Sequence, residues 1–531
     1  MCGQVSSERR LVIYVPDVMG DTSRWDALVG QIRAEPEFAN SVFQTWPEAD
    51  HDRPLRPWRR GGLDTYVVQL SAYIGSLIRE STRDSDPFVK VTLVGASIGG
   101  LLVREAWLRA LGSEVDAGDW AQRVDRFVLA ASINRGFDPS RLNPLLRLAV
   151  RVLSLTRMAY QDALVGSSFV TNIRVRWIRR MAQTSEPIHV VQLLGDSDDL
   201  VTREDSLDLE QFPNAAHVTL AGVRHANVLD IAGPGGERRM DDIRGALLGS
   251  TAETSPPFSE PEQADDIVFV LHGIRAGVGG WVRDVTARIN RRPGWKAINP
   301  SYGYFSALEF ALPLLRRRKV RWLLDRYTRE IAANPRARFH FAGHSNGTYA
   351  LGYGLRRVSG MQFKSVYVAG SVLPADFPWS EMRRSGQLTR LRSDRGSRDF
   401  PVGVLAKGLR GLGMHDIGSG GFSGFLELDD VSWSTEWPFV PGGHGAPLKE
   451  PRREGVVAWL IGEGSDQPPG LVDSSGAFVG LLSRFSPVVV PALVLLVVAG
   501  LVWPIWTGAW TPRNSVAFGV AALTLVGSAA A

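Results

Sequence analysis

Phe88–Leu111, FVKVTLVGASIGGLLVREAWLRAL, and Ala337–Val358, ARFHFAGHSNGTYALGYGLRRV, are the two stretches that decide the fold. Each runs from a strand-length apolar segment through a Gly-x-Ser-x-Gly pentapeptide into a segment of helical spacing. The pentapeptides are Gly95-Ala-Ser97-Ile-Gly99 and Gly343-His-Ser345-Asn-Gly347. The spacing has a chemical purpose. A serine on a tight strand-to-helix turn projects its Oγ above the sheet edge, and the flanking glycines let the backbone crowd there. The helix N-terminus then faces whatever carbonyl the serine attacks. One such pattern is weak by itself, whereas two in the same strand–turn–helix context are not.

The pattern repeats upstream. Arg10–Asp21 (RLVIYVPDVMGD) and Asp265–Ala276 (DDIVFVLHGIRA) are both apolar strands ending in a Gly-containing loop. Alternation of strands with helical segments predicts a parallel α/β sheet in each block, hence a duplicated topology. Domains are expected at residues 1–249 and 265–462. They are separated by the Pro/Ser/Glu-rich linker 250–264 and followed by a second linker, 463–486.

These residues resemble the α/β-hydrolase superfamily, in its lipase and esterase branch. The resemblance implies two tandem α/β-hydrolase domains, each a mostly parallel sheet flanked by helices, with chain order Ser…Asp…His in each block. A serine hydroxyl needs an imidazole to take its proton and a carboxylate to hold that imidazole's tautomer. In the first block His51 precedes Ser97, and His189 and His217 lie in apolar runs, which leaves His225, in a post-strand loop. The turn Gly195-Asp-Ser-Asp198-Asp199-Leu-Val201 resembles the family's G-x-x-D-x-x-V and selects Asp198, with Asp199 as runner-up and Asp196 a turn residue. In the second block His444, in VPGGHGAPL before a helical run, is preferred to His415. Asp399, followed by Phe-Pro-Val, is preferred to Asp394. The expected catalytic residues are thus Ser97, Asp198 and His225, and Ser345, Asp399 and His444.

An oxyanion hole needs two N–H groups aimed at developing charge. The residues after the serines, Ile98 and Asn346, supply one each. The loop after the first strand supplies the other: Ile274 in a His-Gly loop, and Val18 in a Pro-x-x-x-Gly loop that carries Asp17 where the family has glycine. Leu129–Phe137 (LAASINRGF) resembles a strand exit of the family with a structural or lid-related role, and Asn143–Tyr160 lies where the family inserts lids. This chemistry requires no metal and no organic cofactor.

Composition bounds the rest. The chain has 531 residues, is 44% hydrophobic and 22% charged, and carries a formal net charge of +5. Such a mild, dispersed bias argues against nucleic-acid binding. The single cysteine, Cys2, excludes intrachain disulfides and Cys-based zinc sites. No phosphate-binding G-x-x-x-x-G-K-[ST] and no H-E-x-x-H occurs. Pro487–Gly508, PVVVPALVLLVVAGLVWPIWTG, is uncharged and, at 1.5 Å per residue, about 33 Å long, enough for a transmembrane helix. Residues 515–531 are a second possible membrane segment, the return arm of a hairpin. With no leader read at the N-terminus, the catalytic domains are expected at the cytoplasmic side of a membrane. Leu314–Asp325 (LLRRRKVRWLLD) is a basic amphipathic segment that could touch anionic lipid. The expected function is a membrane-anchored serine hydrolase of carboxylic esters, lipid or acyl esters foremost, with membrane lipids as its surroundings and no protein partner named. The alternatives are acyl transfer by the same triads and a scaffold with one or both domains idle.

Overall fold

The computed structural model describes residues 8–17, 22–47, 62–112, 119–142, 144, 159–183, 188–202, 205, 215–250, 264–274, 280–299, 307–428, 432–464 and 470–506. By internal contacts the chain divides into two compact units. One is Met1–Glu262 with Leu323–Pro335, and the other is Gln263–Trp322 with Arg336–Ala531.

In the first unit, β1 (Arg10–Val15), β2 (Ser41–Thr45), β3 (Lys90–Ala96), β4 (Val124–Ala130), β5 (His189–Gly195) and β6 (Ala215–Leu220) form one wholly parallel sheet in the order β2-β1-β3-β4-β5-β6. In the second, β7 (Asp266–Leu271), β8 (Trp295–Ile298), β9 (Arg338–His344), β10 (Phe363–Ala369), β11 (Leu388–Asp394) and β12 (Ser434–Glu436) are also parallel, in the order β8-β7-β9-β10-β11-β12. The two sheets have the same topology. Both are α/β, with helices flanking the sheet.

The strands read as unbroken apolar runs because both sheet faces are covered. Leu11, Ile13 and Val15 of β1, and Val268, Phe269 and Val270 of β7, are inaccessible to solvent. Each such side chain contributes about 1.5–3 kcal/mol on burial. On one face of the first sheet Trp107, Phe127 and Trp177 meet edge to face, with centroids 4.9–5.5 Å apart. Parallel pairing also brings all carboxyl ends of the strands to one sheet edge: Val15 lies opposite Gly95, Ala96 opposite Ala130, and Gly195 opposite Leu220. Open α/β sheets present their sites at this edge.

At the C-terminal end of the chain a 30-residue helix spans Ala477–Trp506. It starts ten residues before Pro487, inside the expected second linker, 463–486. Val479, Ser483, Ser486 and Val490 are buried on one face of it, so packing extends the helix toward its N-terminus. Ala477–Leu496 is long and apolar enough to cross a membrane, by length and composition. Residues 507–531, including the segment 515–531, lie outside the described residues.

The basic segment belongs to a helix, Pro313–Ala333. Arg316 in it is fully buried, donates to Asp416 at 2.8 Å and stacks on Tyr349, so that cation is committed to the interior. Of the basic residues in the amphipathic run, Arg316 is therefore not on its solvent-facing side.

Candidate active site

Both serines sit on a backbone that side chains rarely adopt: φ is +50° at Ser97 and +54° at Ser345. Such a conformation persists only where the surroundings over-determine it. Here they do. A Cβ on Gly95 would lie 2.6 Å from the Gly100 Cα, and one on Gly99 would overlap the Val15 carbonyl oxygen. Only glycine lets the turn close against β1. The helices Gly99–Leu111 and Asn346–Arg357 start two residues after Ser97 and directly after Ser345.

In the first unit the loops after β5 and β6 converge on Ser97. His225 Nε2 lies 3.0 Å from Ser97 Oγ, and His225 Nδ1 lies 3.0 Å from Asp198 Oδ2. The Asp198 side chain is fully buried, and its Oδ1 accepts the backbone N–H groups of Leu200 (2.9 Å) and Val201 (2.8 Å). The G-x-x-D-x-x-V turn therefore aims the carboxylate at the ring. Burial lowers the pKa of His225, but the hydrogen bond and charge of Asp198, then the charges of Asp17 and Asp199, outweigh it and raise the value above its ordinary range. Asp196 caps the neighbouring turn, accepting from Gly222 N at 2.9 Å.

In the second unit the structure joins Asp399 to His444, with Oδ2 2.8 Å from Nδ1. Asp399 is fully buried, and its other oxygen accepts the Val402 N–H at 3.0 Å. Asp394 is committed elsewhere, to Arg392 and the Tyr367 hydroxyl. His415 is exposed. Among the described residues no hydrogen bond joins His444 to Ser345. The loop after β7 passes against the serine, since a Cβ on Gly273 would come within 2.6 Å of Ser345 Cβ and 3.2 Å of its Oγ.

Of the four expected oxyanion donors, Ile98 precedes its helix and Asn346 begins one. Ile274 follows Gly273. Among the described residues none of these three backbone N–H groups is given to a protein acceptor. Val18 lies outside the described residues, as does most of the lid segment 143–160.

Two residues outside the expected set shape the sites. Asn134, fully buried in the β4 exit, accepts from Arg104 (3.0 Å) and Ser132 (2.9 Å) and donates to Gln192 of β5 (3.0 Å). It ties the helix after Ser97 to the strand that leads to Asp198, a structural role. His344 stacks 4.4 Å from the His444 ring and donates its Nε2–H to the His444 carbonyl at 3.2 Å. Desolvation and the neighbouring His444 charge lower its pKa to about 3, so it stays neutral. A histidine directly before the nucleophile was the available signal, but only the fold shows that it meets His444.

No family model and no curated protein matches the chain. Among solved structures, Paleococcus ferrophilus monoacylglycerol lipase is 17% identical with a TM-score of 0.29, covering 45% of this chain and 95% of that one. A structure from a study of Nitrososphaera gargenis carboxylesterases is 16% identical at 0.31, covering 46% and 90%. Pyrobaculum calidifontis esterase is 17% identical at 0.30, covering 46% and 77%.

Proposed function

We propose that the chain is a serine hydrolase of carboxylic esters, with one site in each of two tandem α/β-hydrolase domains. The observation that carries this reading is the continuous relay Asp198–His225–Ser97, with contacts of 3.0 Å at each step. Ser97 Oγ attacks the ester carbonyl as its proton passes to His225 Nε2, and the imidazolium is held by Asp198. The tetrahedral oxyanion takes the Ile98 N–H and the dipole of the helix behind it. The C–O bond to the alcohol then breaks, and His225 returns its proton to the leaving oxygen. Water repeats the sequence on the acyl-serine, releasing the acid. Ser345, His444 and Asp399 have the same roles in the second unit, with the Asn346 and Ile274 N–H groups as oxyanion donors.

The helix Ala477–Trp506 anchors the protein in a membrane, and acyl esters of lipids are the substrate class that this placement favours. A fluorophosphonate probe tests the chemistry. Labelling of Ser97 and Ser345, lost in His225→Ala and His444→Ala respectively, is the expected result. Labelling of neither serine overturns the enzyme reading. Recovery of the full-length protein from a cytosolic supernatant without detergent overturns the anchor.

A further inference from the structure

The C-terminal helix reaches the second site. Asp399 stands at the start of a helical segment, Pro401–Arg410, whose first N–H groups it receives: Val402 N donates to its Oδ1 and Gly403 N to its backbone carbonyl. The other end of that segment is packed against the helix Ala477–Trp506. A Cβ on Gly408 would overlap Val490 and approach the Ser486 carbonyl, and one on Gly411 would overlap the Pro487 carbonyl. The Lys407 ammonium donates to Ser483 Oγ at 3.3 Å. Ser483 and Ser486, polar residues in a mostly apolar helix, are buried in this seam.

The chain leading into the helix engages the same loops. Gly476 N donates to the Ser397 carbonyl at 2.7 Å, two residues before Asp399. Val472 pairs with Phe439 in an antiparallel bridge of 2.8 and 2.9 Å, on the loop that continues to His444. The two loops are joined in turn by Arg398 N donating to Gly442 O at 2.7 Å and Gly442 N donating to Ser397 Oγ at 3.2 Å. Acid loop, base loop and C-terminal segment thus form one hydrogen-bonded body.

We infer that residues 470–490 are a positioning element of the second site, with the Gly408–Val490 and Gly411–Pro487 contacts holding the Asp399–His444 pair in register. The inference rests on the hydrolase reading of that unit. Its consequence is an asymmetry: Ser345 chemistry responds to the seating of the C-terminal helix, and Ser97 chemistry does not. Displacement of a reacting group by about 1 Å costs on the order of 100-fold in rate, so a small shift of the seam is measurable.

The test uses the full-length chain in detergent, with Ser97 as an internal control for folding. Gly408→Ala forces the seam apart, and Val490→Gly removes both Val490 atoms that the new methyl would strike. The maximal rate of fluorophosphonate labelling at Ser345 is expected to fall on the order of 100-fold in Gly408→Ala. Half-saturating probe concentration and Ser97 labelling stay constant, and Gly408→Ala with Val490→Gly recovers the rate. Hydrogen exchange of peptide 395–411 gives a second readout that needs no active serine: faster in Gly408→Ala and restored in the double variant. Unlabelled Ser345 in the unmodified protein sinks the hydrolase reading of this unit, and exchange then decides the seam alone. Unchanged labelling and exchange in Gly408→Ala, or no recovery in the double variant, overturn the inference.

Discussion

His225 Nε2 lies 3.0 Å from Ser97 Oγ across 128 residues of chain. The turn at Ser97 and the loop after β6 each have their own contacts, and these hold the two groups within hydrogen-bond reach. In the second unit the acid–base contact is 2.8 Å, against 3.0 Å in the first, but no serine–imidazole hydrogen bond accompanies it among the described residues. Contacts of that kind often tighten only when substrate binds. The two proposed sites therefore share components and differ in the serine–imidazole contact.

Replacing Asp198 by Asn keeps the shape of the turn but removes the charge that selects the His225 tautomer. Ser97-dependent hydrolysis, measured in a Ser345→Ala background, is expected to fall roughly 10⁴-fold, the usual scale for this change in a triad. Asp199→Asn, beside it, is expected to leave the rate within a few-fold. Equal losses in the two variants would assign the acid wrongly.

Asn134→Ala removes the acceptor of Arg104 Nη1 and the donor to Gln192 Oε1 in a fully buried site. Losing buried hydrogen bonds of this kind costs about 1–3 kcal/mol. The temperature at which Ser97 loses probe labelling should drop by several degrees, while that for Ser345 stays in place. A shift at both serines would point to a general folding defect instead.

His344→Phe keeps the ring stack on His444 but removes the N–H given to the His444 carbonyl. A neutral hydrogen bond of this type contributes about 0.5–1.5 kcal/mol, so labelling of Ser345 is expected to slow by roughly 2- to 13-fold. His344→Gln, which can still donate, should recover most of the rate. If Phe and Gln behave alike, the hydrogen bond does not position the loop.

Much of this arrangement was legible in the chain because its signals are local. Apolar runs of strand length, the crowded turn at Ser97 and the order of the histidines need only neighbours in sequence. Asn134 and His344 were harder to place, since their partners lie 58 residues away in Gln192 and 100 residues away in His444. The early start of the C-terminal helix was hidden for a similar reason. Ala477–Ser486 carries Ser483, Arg484 and Ser486, which break the apolar run, and the buried face against Gly408 exists only in the folded unit. Arg316 shows the converse: a basic residue in a basic segment reads as surface until Asp416 is brought to it.

Asp17 is the sharpest test of the first site, because its charge acts twice. It is one of the carboxylates that raise the pKa of His225, after Asp198. A general base must be neutral to accept the serine proton, so a raised value keeps the ring protonated to higher pH and moves the acid limb of kcat/KM upward. In a Ser345→Ala background the acid limb is expected above pH 6.5, the ordinary histidine value. Asp17→Asn removes a stabilising charge from the imidazolium and should move that limb to lower pH. In the proposed mechanism the same carboxylate directly precedes, in sequence, the expected second oxyanion donor, so it is expected to oppose the negative charge that develops on the substrate oxygen. Its neutralisation should therefore raise the rate on the high-pH plateau as well, by less than the 100- to 1,000-fold or so that a whole oxyanion donor is worth. The two effects separate in one titration, since the limb reports the imidazole and the plateau reports the transition state. A limb that moves down together with a plateau that falls would make Asp17 a supporting charge of the imidazolium in the transition state rather than an obstacle to the oxyanion.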